Sequence, residues 1–131
     1  MPKNSGKATI LVVDDEVSLR QLLVRQLRSE DYCVLEAGYG WEALEVARSS
    51  PEPIDLVLSD IAMPGMISTE LAERLFAEHP GIRVILMSAH AIAPSLAASL
   101  QPQDVPLLCK PFDGRRMLAF VELALSRAAE P

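Results

Sequence analysis

The feature that most restricts the fold is a short apolar run at residues 54–58, followed at once by Ser59, Asp60 and a Pro-Gly step. Four of its five residues are apolar, which suits a strand covered on both faces by helices, as in a parallel sheet. Pro64 cannot donate to a sheet ladder, so the strand is predicted to end before it. Because ligands of open parallel sheets bind beyond the carboxyl ends of the strands, we expect Asp60 to lie at a functional edge.

Strand-like and helix-like segments alternate along the whole chain. Short apolar and β-branched runs predict strands at 8–13, 32–36, 54–58, 82–87 and 105–109. Apolar residues at three-and-four spacing or in Ala-rich runs predict helices at 17–29, 40–49, 68–78, 92–100 and 115–127. Parallel neighbours require helical crossovers, so this order predicts an α/β fold, a five-stranded doubly wound parallel sheet in a single domain.

Within this pattern, some side chains can be assigned to the core. In the first predicted helix, one face at three-and-four spacing is predicted to point inward, and it carries Leu19, Leu22, Leu23 and Leu27. The domain is expected to occupy residues 8–127, with a flexible N-terminal tail at 1–7 and a C-terminal tail at 128–131. Cys33 and Cys109 lack the paired spacing of a metal site, and we expect both to be reduced and mostly buried.

Composition excludes several classes of protein. The chain has 131 residues, of which 50% are hydrophobic and 23% charged, as in an ordinary globular domain. No apolar run approaches the length of about 20 residues that spans a membrane. The polar, basic start lacks the apolar part of a secretory signal, so we expect a cytoplasmic location without membrane insertion. The net charge of −6 gives no electrostatic basis for direct binding of nucleic acid.

Polar residues follow four of the predicted strands, and they are Asp14, Asp15, Asp60, Ser88 and Lys110. Taken singly, each has an ordinary interpretation as a helix cap, a loop hydrogen bond or a solvated charge. Placed together at one edge of a sheet, three carboxylates would repel one another, and their hard oxygens are typical ligands of Mg²⁺, with Mn²⁺ as a substitute. The sequence therefore predicts a divalent metal site with a lysine beside it.

The same residues belong to four short motifs, which are VVDDE at 12–16, DIAMP at 60–64, MSA at 87–89 and KPF at 110–112. In this order and spacing, the motifs resemble the receiver domain of two-component response regulators. The resemblance extends over nearly the whole chain, from residue 8 to about 127. It implies a flavodoxin-like sheet with strand order 2-1-3-4-5.

The resemblance also implies a role for each acid. Asp60 would accept a phosphoryl group from the phosphohistidine of a sensor histidine kinase, or from a phosphotransfer protein in a phosphorelay. Asp15, Asp60 and the backbone carbonyl of Ala62 would bind Mg²⁺ directly, and Asp14 would act through a metal-bound water. The chain would then catalyse its own phosphorylation and dephosphorylation without being a conventional enzyme.

For the other two residues, the resemblance implies contacts with the phosphoryl group. Ser88 would hydrogen-bond one phosphoryl oxygen, and Lys110 would pair with another. Extra negative charge on Asp60 would draw both side chains toward it and so change a surface that docks a downstream protein. We expect no DNA-binding output domain in this chain.

The sequence departs from the pattern of the family in three places. Leu107 stands where an aromatic residue is usual, so an aromatic switch is not expected. Residues 103–104 are Gln-Asp where Gly-Ala is usual, and Ser68 replaces a usual glycine. These changes affect loops and the output surface and leave the acceptor motifs in place.

Three other functions compete with this interpretation. An Mg²⁺-dependent phosphohydrolase with an aspartyl nucleophile usually has a second acid at the position of Ala62, and also a cap insertion. A phosphorylation-independent interaction module would not need the full set of acids, serine and lysine. A flavodoxin-type cofactor site would need a phosphate loop rich in Ser, Thr and Gly after the first strand, which this sequence does not have.

Overall fold

The computed structural model describes residues 8–61, 68–88 and 105–127. One parallel sheet contains five strands in the order β2-β1-β3-β4-β5. The strands are β1 (Thr9–Val13), β2 (Cys33–Ala37), β3 (Leu56–Asp60), β4 (Arg83–Ser88) and β5 (Leu107–Cys109). The described residues also form four helices, which are α1 (Val17–Ser29), α2 (Gly40–Ser49), α3 (Ser68–Glu78) and α4 (Gly114–Arg127). The predicted fold class and strand order are therefore confirmed.

Some predictions fall on other parts of the chain. The expected helix at 92–100 and the expected tails at 1–7 and 128–131 lie outside the described residues. Among the helices that the structure does describe, none combines the length and the apolar character needed to cross a bilayer.

The core lies in two apolar layers, one on each face of the sheet. Successive strand residues point to opposite faces, so β1 sends Leu11 and Val13 into the layer beneath α2 and α3, and Ile10 and Val12 into the layer beneath α1 and α4. Every residue of β1 and β3 is buried. Burial from both sides explains why these strands are almost continuous apolar runs in the sequence.

The predicted inward face of α1 is wrong at one position. Leu22 is 46% exposed, whereas the buried residues of the helix are Leu23, Val24 and Leu27. Leu19 is partly buried against the same layer. Leu22 and Val24 flank Leu23, so the periodicity of apolar residues is compatible with an inward helix face that contains either of them. Packing against the sheet buries the face that contains Val24.

The prediction for the cysteines needs a correction as well. Both are free, but Cys33 is only half-buried and Cys109 is exposed. Cys109 ends β5, which is an edge strand of three residues. In the sheet that the described residues form, Cys109 is the last residue of an outermost strand, where fewer sheet residues surround a side chain than at the centre, so the apolar character of a thiol does not ensure burial.

Candidate functional site

The carboxyl edge of the sheet collects polar side chains from four strands. Asp14 and Asp15 directly follow β1, Asp60 is the last residue of β3, Ser88 is the last residue of β4, and Lys110 directly follows β5. All strands are parallel, so these ends lie on the same side of the molecule. The alternation of strands and helices thus brings residues from distant parts of the chain to one edge.

Backbone hydrogen bonds extend the sheet ladder just past the strand ends. The N–H of Asp14 donates to the Ala37 carbonyl over 3.1 Å, and the N–H of Lys110 donates to the Ser88 carbonyl over 2.7 Å. Asp60 is held within β3 by its pairing with Met87 of β4. Hydrogen bonds of the sheet therefore hold the backbones of Asp14, Asp60 and Lys110.

Three carboxylates form the acidic part of the site. Asp14, Asp15 and Asp60 each offer one oxygen, and these oxygens all lie within 4.8 Å of one another. Asp14 and Asp60 are buried, whereas Asp15 is exposed. Clustered hard oxygen ligands with one side open to solvent suit a divalent cation that keeps some of its waters.

Asp14 is the most constrained of the three acids. Burial is the main reason why the pKa of the Asp14 carboxyl is raised above its ordinary value, and repulsion from Asp60 and Asp15 raises it further. The hydrogen bond from the Glu16 N–H and the positive charge of Lys110 lower the pKa, but by less. The Glu16 N–H donates to Asp14 Oδ1 over 2.9 Å. Within the described part of the chain, no hydrogen-bond donor reaches the buried Oδ2. A buried oxygen without a donor is costly, and a bound cation would satisfy it, so the residues present fit a metal ion.

Lys110 supplies positive charge next to the acids. Its Nζ lies 3.3 Å from Asp60 Oδ2 and 3.7 Å from Asp14 Oδ2. The side chain is largely shielded from solvent, with 19% exposure, which strengthens its electrostatic effect relative to a surface pair. An ammonium group offers three donors on a flexible stem, so Lys110 can turn from a carboxylate to a new anionic oxygen without a change in the backbone.

Of the two remaining predicted site residues, the structure describes Ser88 but not Ala62. Ser88 is buried, with 3% exposure, at the end of β4, between the strands that carry Asp60 and Lys110. The carbonyl of Ala62, predicted as a metal ligand, lies outside the described residues. The structure therefore brings together the three acids and the lysine, and it places the serine at the same edge.

Sequence reasoning missed one side chain that contacts this site. Arg20 donates from Nη1 to the backbone carbonyl of Asp14 over 2.8 Å and from Nε to Glu36 Oε1 over 3.1 Å. Nothing in the sequence pattern distinguishes Arg20 from other basic residues on the outer faces of helices. Only the pairing of β1 with β2 brings Glu36 next to it.

Comparison with known proteins gives the family. The model of the response regulator receiver domain family matches residues 10–122. The chain belongs to this family. It is thus a receiver module of two-component signalling, and receiver domains generally bind Mg²⁺ through acidic residues such as the cluster seen at this edge.

Individual relatives agree with this assignment. The chain is 38% identical over 125 residues to the sensor kinase CckA of Brucella abortus (strain 2308), covering 94% of this chain but 13% of CckA. It is 33% identical to the response regulator receiver protein CpdR of the same organism, covering 91% of this chain and 98% of CpdR. A receiver domain protein (CheY-like) from Methanospirillum hungatei JF-1 has the same fold, with a TM-score of 0.85, 26% identity and coverage of 93% and 96% of the two chains.

Proposed function

We propose that this receiver domain accepts a phosphoryl group on Asp60 from the phosphohistidine of a sensor histidine kinase or phosphotransfer protein. Phosphorylation then changes a surface to which a downstream protein binds. One observation carries the proposal, namely that the Asp60 carboxylate ends a buried strand inside a three-acid cluster, with Lys110 Nζ 3.3 Å from its Oδ2.

The chemistry asked of Asp60 is a nucleophilic displacement. A carboxylate oxygen forms a bond to phosphorus while the bond from phosphorus to the histidine nitrogen breaks, and the imidazole leaves with the bonding electron pair. Such transfers need accurate positioning and positive charge around the phosphoryl oxygens more than covalent help. Pairing with Met87 holds the backbone of Asp60 in the sheet, and Lys110 would supply part of the charge.

The acids have a second role as a metal site. Asp15 and Asp60 would bind Mg²⁺ directly together with the Ala62 carbonyl, and Asp14 would bind through a water. Bound Mg²⁺ supplies further positive charge for the transferred group. The proximity of the three carboxylate oxygens and the unsatisfied Oδ2 of Asp14 support this assignment among the described residues.

The response to phosphorylation would begin at the ends of β4 and β5. The Lys110 ammonium would turn from the carboxylates to a phosphoryl oxygen, and the Ser88 hydroxyl would donate to another. The Lys110 N–H donates to the Ser88 carbonyl over 2.7 Å, so movement at one strand end is transmitted to the other. Leu107 of β5 is partly buried against the core and has no aromatic ring to reorient, so the change would involve the strand ends and the surface beyond them.

Intact-mass measurement after incubation with acetyl phosphate tests the proposal. We expect wild type to gain one phosphoryl group when Mg²⁺ is present and none when EDTA is added, and we expect no gain in Asp60→Asn. Asp55→Asn is a matched control, because Asp55 immediately precedes β3, at the opposite end of the strand from Asp60. Its Oδ2 accepts the Thr9 N–H, and the asparagine carbonyl can still do so. Equal phosphate incorporation in wild type and Asp60→Asn would refute the assignment.

A further inference from the structure

Arg20 links Asp14, in the segment between β1 and α1, to Glu36 of strand β2. Its guanidinium donates from Nη1 to the Asp14 carbonyl over 2.8 Å and from Nε to Glu36 Oε1 over 3.1 Å. The side chain is 18% exposed, so the two contacts are partly shielded from water. A planar guanidinium holds its donors in a fixed relative orientation, and anchoring one of them on Glu36 therefore orients the other toward Asp14.

The local fold explains how Arg20 reaches this position. Arg20 lies in the first turn of α1, where its N–H donates to the Glu16 carbonyl. Side chains on a helix lean toward the N-terminus of the helix, so Arg20 extends back over the loop that precedes α1. Glu36 lies opposite Val12 in the register of β1 and β2, which places its carboxylate alongside the end of β1.

The hydrogen bond from Arg20 is the third that holds Asp14 in place. The N–H of Asp14 donates to the Ala37 carbonyl, its side-chain Oδ1 accepts the Glu16 N–H, and its carbonyl accepts Arg20. The Asp14 carbonyl belongs to the peptide unit that leads into Asp15. The orientation of this peptide plane sets the direction of the Asp15 carboxylate, which is the exposed member of the acid cluster.

A glycine leaves room for this arrangement. A Cβ atom at Gly38 would lie 3.3 Å from Arg20 Nη1 and 3.5 Å from Glu42 Oε1. The 3.3 Å separation is shorter than most contacts of real Cβ atoms, so a larger residue at position 38 would displace the Arg20 guanidinium. The Gly38 N–H also donates to Glu42 Oε1 over 2.7 Å, which holds the loop after β2 beside Arg20.

We propose that Arg20 is a positioning residue for the metal site, acting through the backbone of the acid pair. By fixing the peptide plane between Asp14 and Asp15, it holds the carboxylates in the mutual arrangement that binds Mg²⁺. Its effect is geometric, since it contacts a backbone carbonyl and not a metal-binding carboxylate. This inference rests on the part of the proposed function that assigns Mg²⁺ to the acid cluster.

Titration calorimetry with MgCl₂ on the unphosphorylated protein at fixed ionic strength tests the role. We expect Arg20→Gln to raise the Kd for Mg²⁺ by about 10-fold or more, the scale seen when residues that orient metal ligands are removed. Arg28→Gln is the matched control. Arg28 lies on the same helix and donates to the Val34 carbonyl over 3.0 Å, so the substitution removes the same charge and a similar contact near the other end of α1. Its Kd should stay within about twofold of wild type.

Two further variants separate geometry from charge. Arg20→Lys keeps the charge but not the planar pair of donors, so we expect its Mg²⁺ affinity to remain impaired. Glu36→Gln keeps an oxygen acceptor for Arg20, and we expect a smaller loss than in Arg20→Gln. Full recovery of affinity in Arg20→Lys, or equal losses in Arg20→Gln and Arg28→Gln, would overturn the positioning role.

A measurement without metal gives an independent readout. The carbonyl ¹³C chemical shift of Asp14 in EDTA should change in Arg20→Gln and stay unchanged in Arg28→Gln, since only Arg20→Gln removes the guanidinium that donates to this carbonyl.

The proposed function and the role of Arg20 can fail separately. Absence of phosphate on wild-type Asp60 would refute the proposed function but not an Arg20-dependent Mg²⁺ affinity. Normal phosphorylation with an unchanged Kd in Arg20→Gln would refute only the inference.

Discussion

Lys110 and Asp60 are separated by 50 residues in the sequence, yet Lys110 Nζ lies 3.3 Å from Asp60 Oδ2. Lys110 Nζ also lies 3.7 Å from Asp14 Oδ2, so one ammonium group faces two buried carboxylates. The ammonium group therefore offsets part of the repulsion between the Asp14 and Asp60 carboxylates. Under the proposed function, Lys110 also places a cation where a phosphoryl group on Asp60 would carry its negative charge.

Replacement of Lys110 should therefore impair phosphorylation. Lys110→Gln removes the positive charge but keeps a hydrogen-bond donor on a slightly shorter side chain. We expect the initial rate of phosphorylation by acetyl phosphate at saturating Mg²⁺ to fall on the order of 10²-fold, as when one donor to a transition state is removed. Intact-mass time courses measure the rate. Arg115→Gln removes an exposed charge from α4 and should phosphorylate at the wild-type rate. A Lys110→Gln rate equal to that of Arg115→Gln would contradict the role of the lysine.

Asp14→Asn should make the metal-free protein more stable. The pKa of Asp14 is raised above 3.8, mainly by burial, so its ionised form disfavours the folded state. Stability linked to this carboxyl is present below the ordinary pKa and is lost as pH rises through the higher pKa of the folded protein. Near neutral pH in EDTA, we expect the substitution to raise the free energy of unfolding by about 1–3 kcal/mol, the scale of the penalty for a buried polar atom such as Oδ2 that no hydrogen-bond donor reaches within the described residues.

Urea unfolding of both proteins across pH 4 to 8 checks this expectation. The difference in stability should grow as pH rises in EDTA and should shrink when Mg²⁺ is added, because Asp14→Asn also weakens metal binding. A variant that is less stable than wild type at every pH in EDTA would show that the buried, ionised Asp14 carboxylate does not destabilise the folded protein.

The exposed and buried leucines of α1 should respond differently to truncation. Leu23 is fully enclosed, with 1% exposure, whereas the adjacent Leu22 is 46% exposed. We expect Leu23→Ala to lower the free energy of unfolding by about 2–5 kcal/mol, as for other buried leucines, and Leu22→Ala to lower it by less than about 1 kcal/mol. Urea denaturation of the two variants measures both values. Similar losses would mean that the helix presents a different face to the sheet.

Tyr32 should ionise at higher pH than an ordinary tyrosine. Burial raises the pKa of its phenol above 10.0, and the negative charges of Glu122 and Glu30 raise it further. The chain has two tyrosines, and the other, Tyr39, is 49% exposed. Ultraviolet absorbance titration of Tyr39→Phe isolates Tyr32, and we expect its midpoint above 10.

The same shift has a consequence for alkaline stability. Because the pKa of Tyr32 is higher in the folded protein than in the unfolded chain, the stability linked to it is present below pH 10 and is lost as pH rises through the folded value. We therefore expect Tyr32→Phe to have a weaker decline in stability than wild type above pH 10. Identical declines in the two proteins, with a Tyr32 midpoint at the ordinary value, would contradict the effect of burial.

The sequence pattern is enough to predict the order of the strands and helices that the structure describes and the edge at which the site lies. Strands covered on both faces must be almost wholly apolar, so their runs are visible without any knowledge of contacts. The carboxyl ends of parallel strands share one edge, so the alternation of strands and helices predicts that Asp60 and Lys110 lie at the same edge. The sequence motifs around these two residues also indicate the family.

Side-chain exposure and contacts between separate elements depend on the tertiary structure and do not follow from periodicity. Apolar residues flank Leu23 on both sides, and only packing against the sheet exposes Leu22 while burying Val24. Cys109 is exposed at the end of β5, an outermost strand of the described sheet, and that position depends on strand order and not on residue type. Arg20 meets the Asp14 carbonyl and Glu36 only because β2 pairs with β1. Such contacts depend on the relative placement of separate elements, whereas a periodic pattern describes the environment of one element at a time.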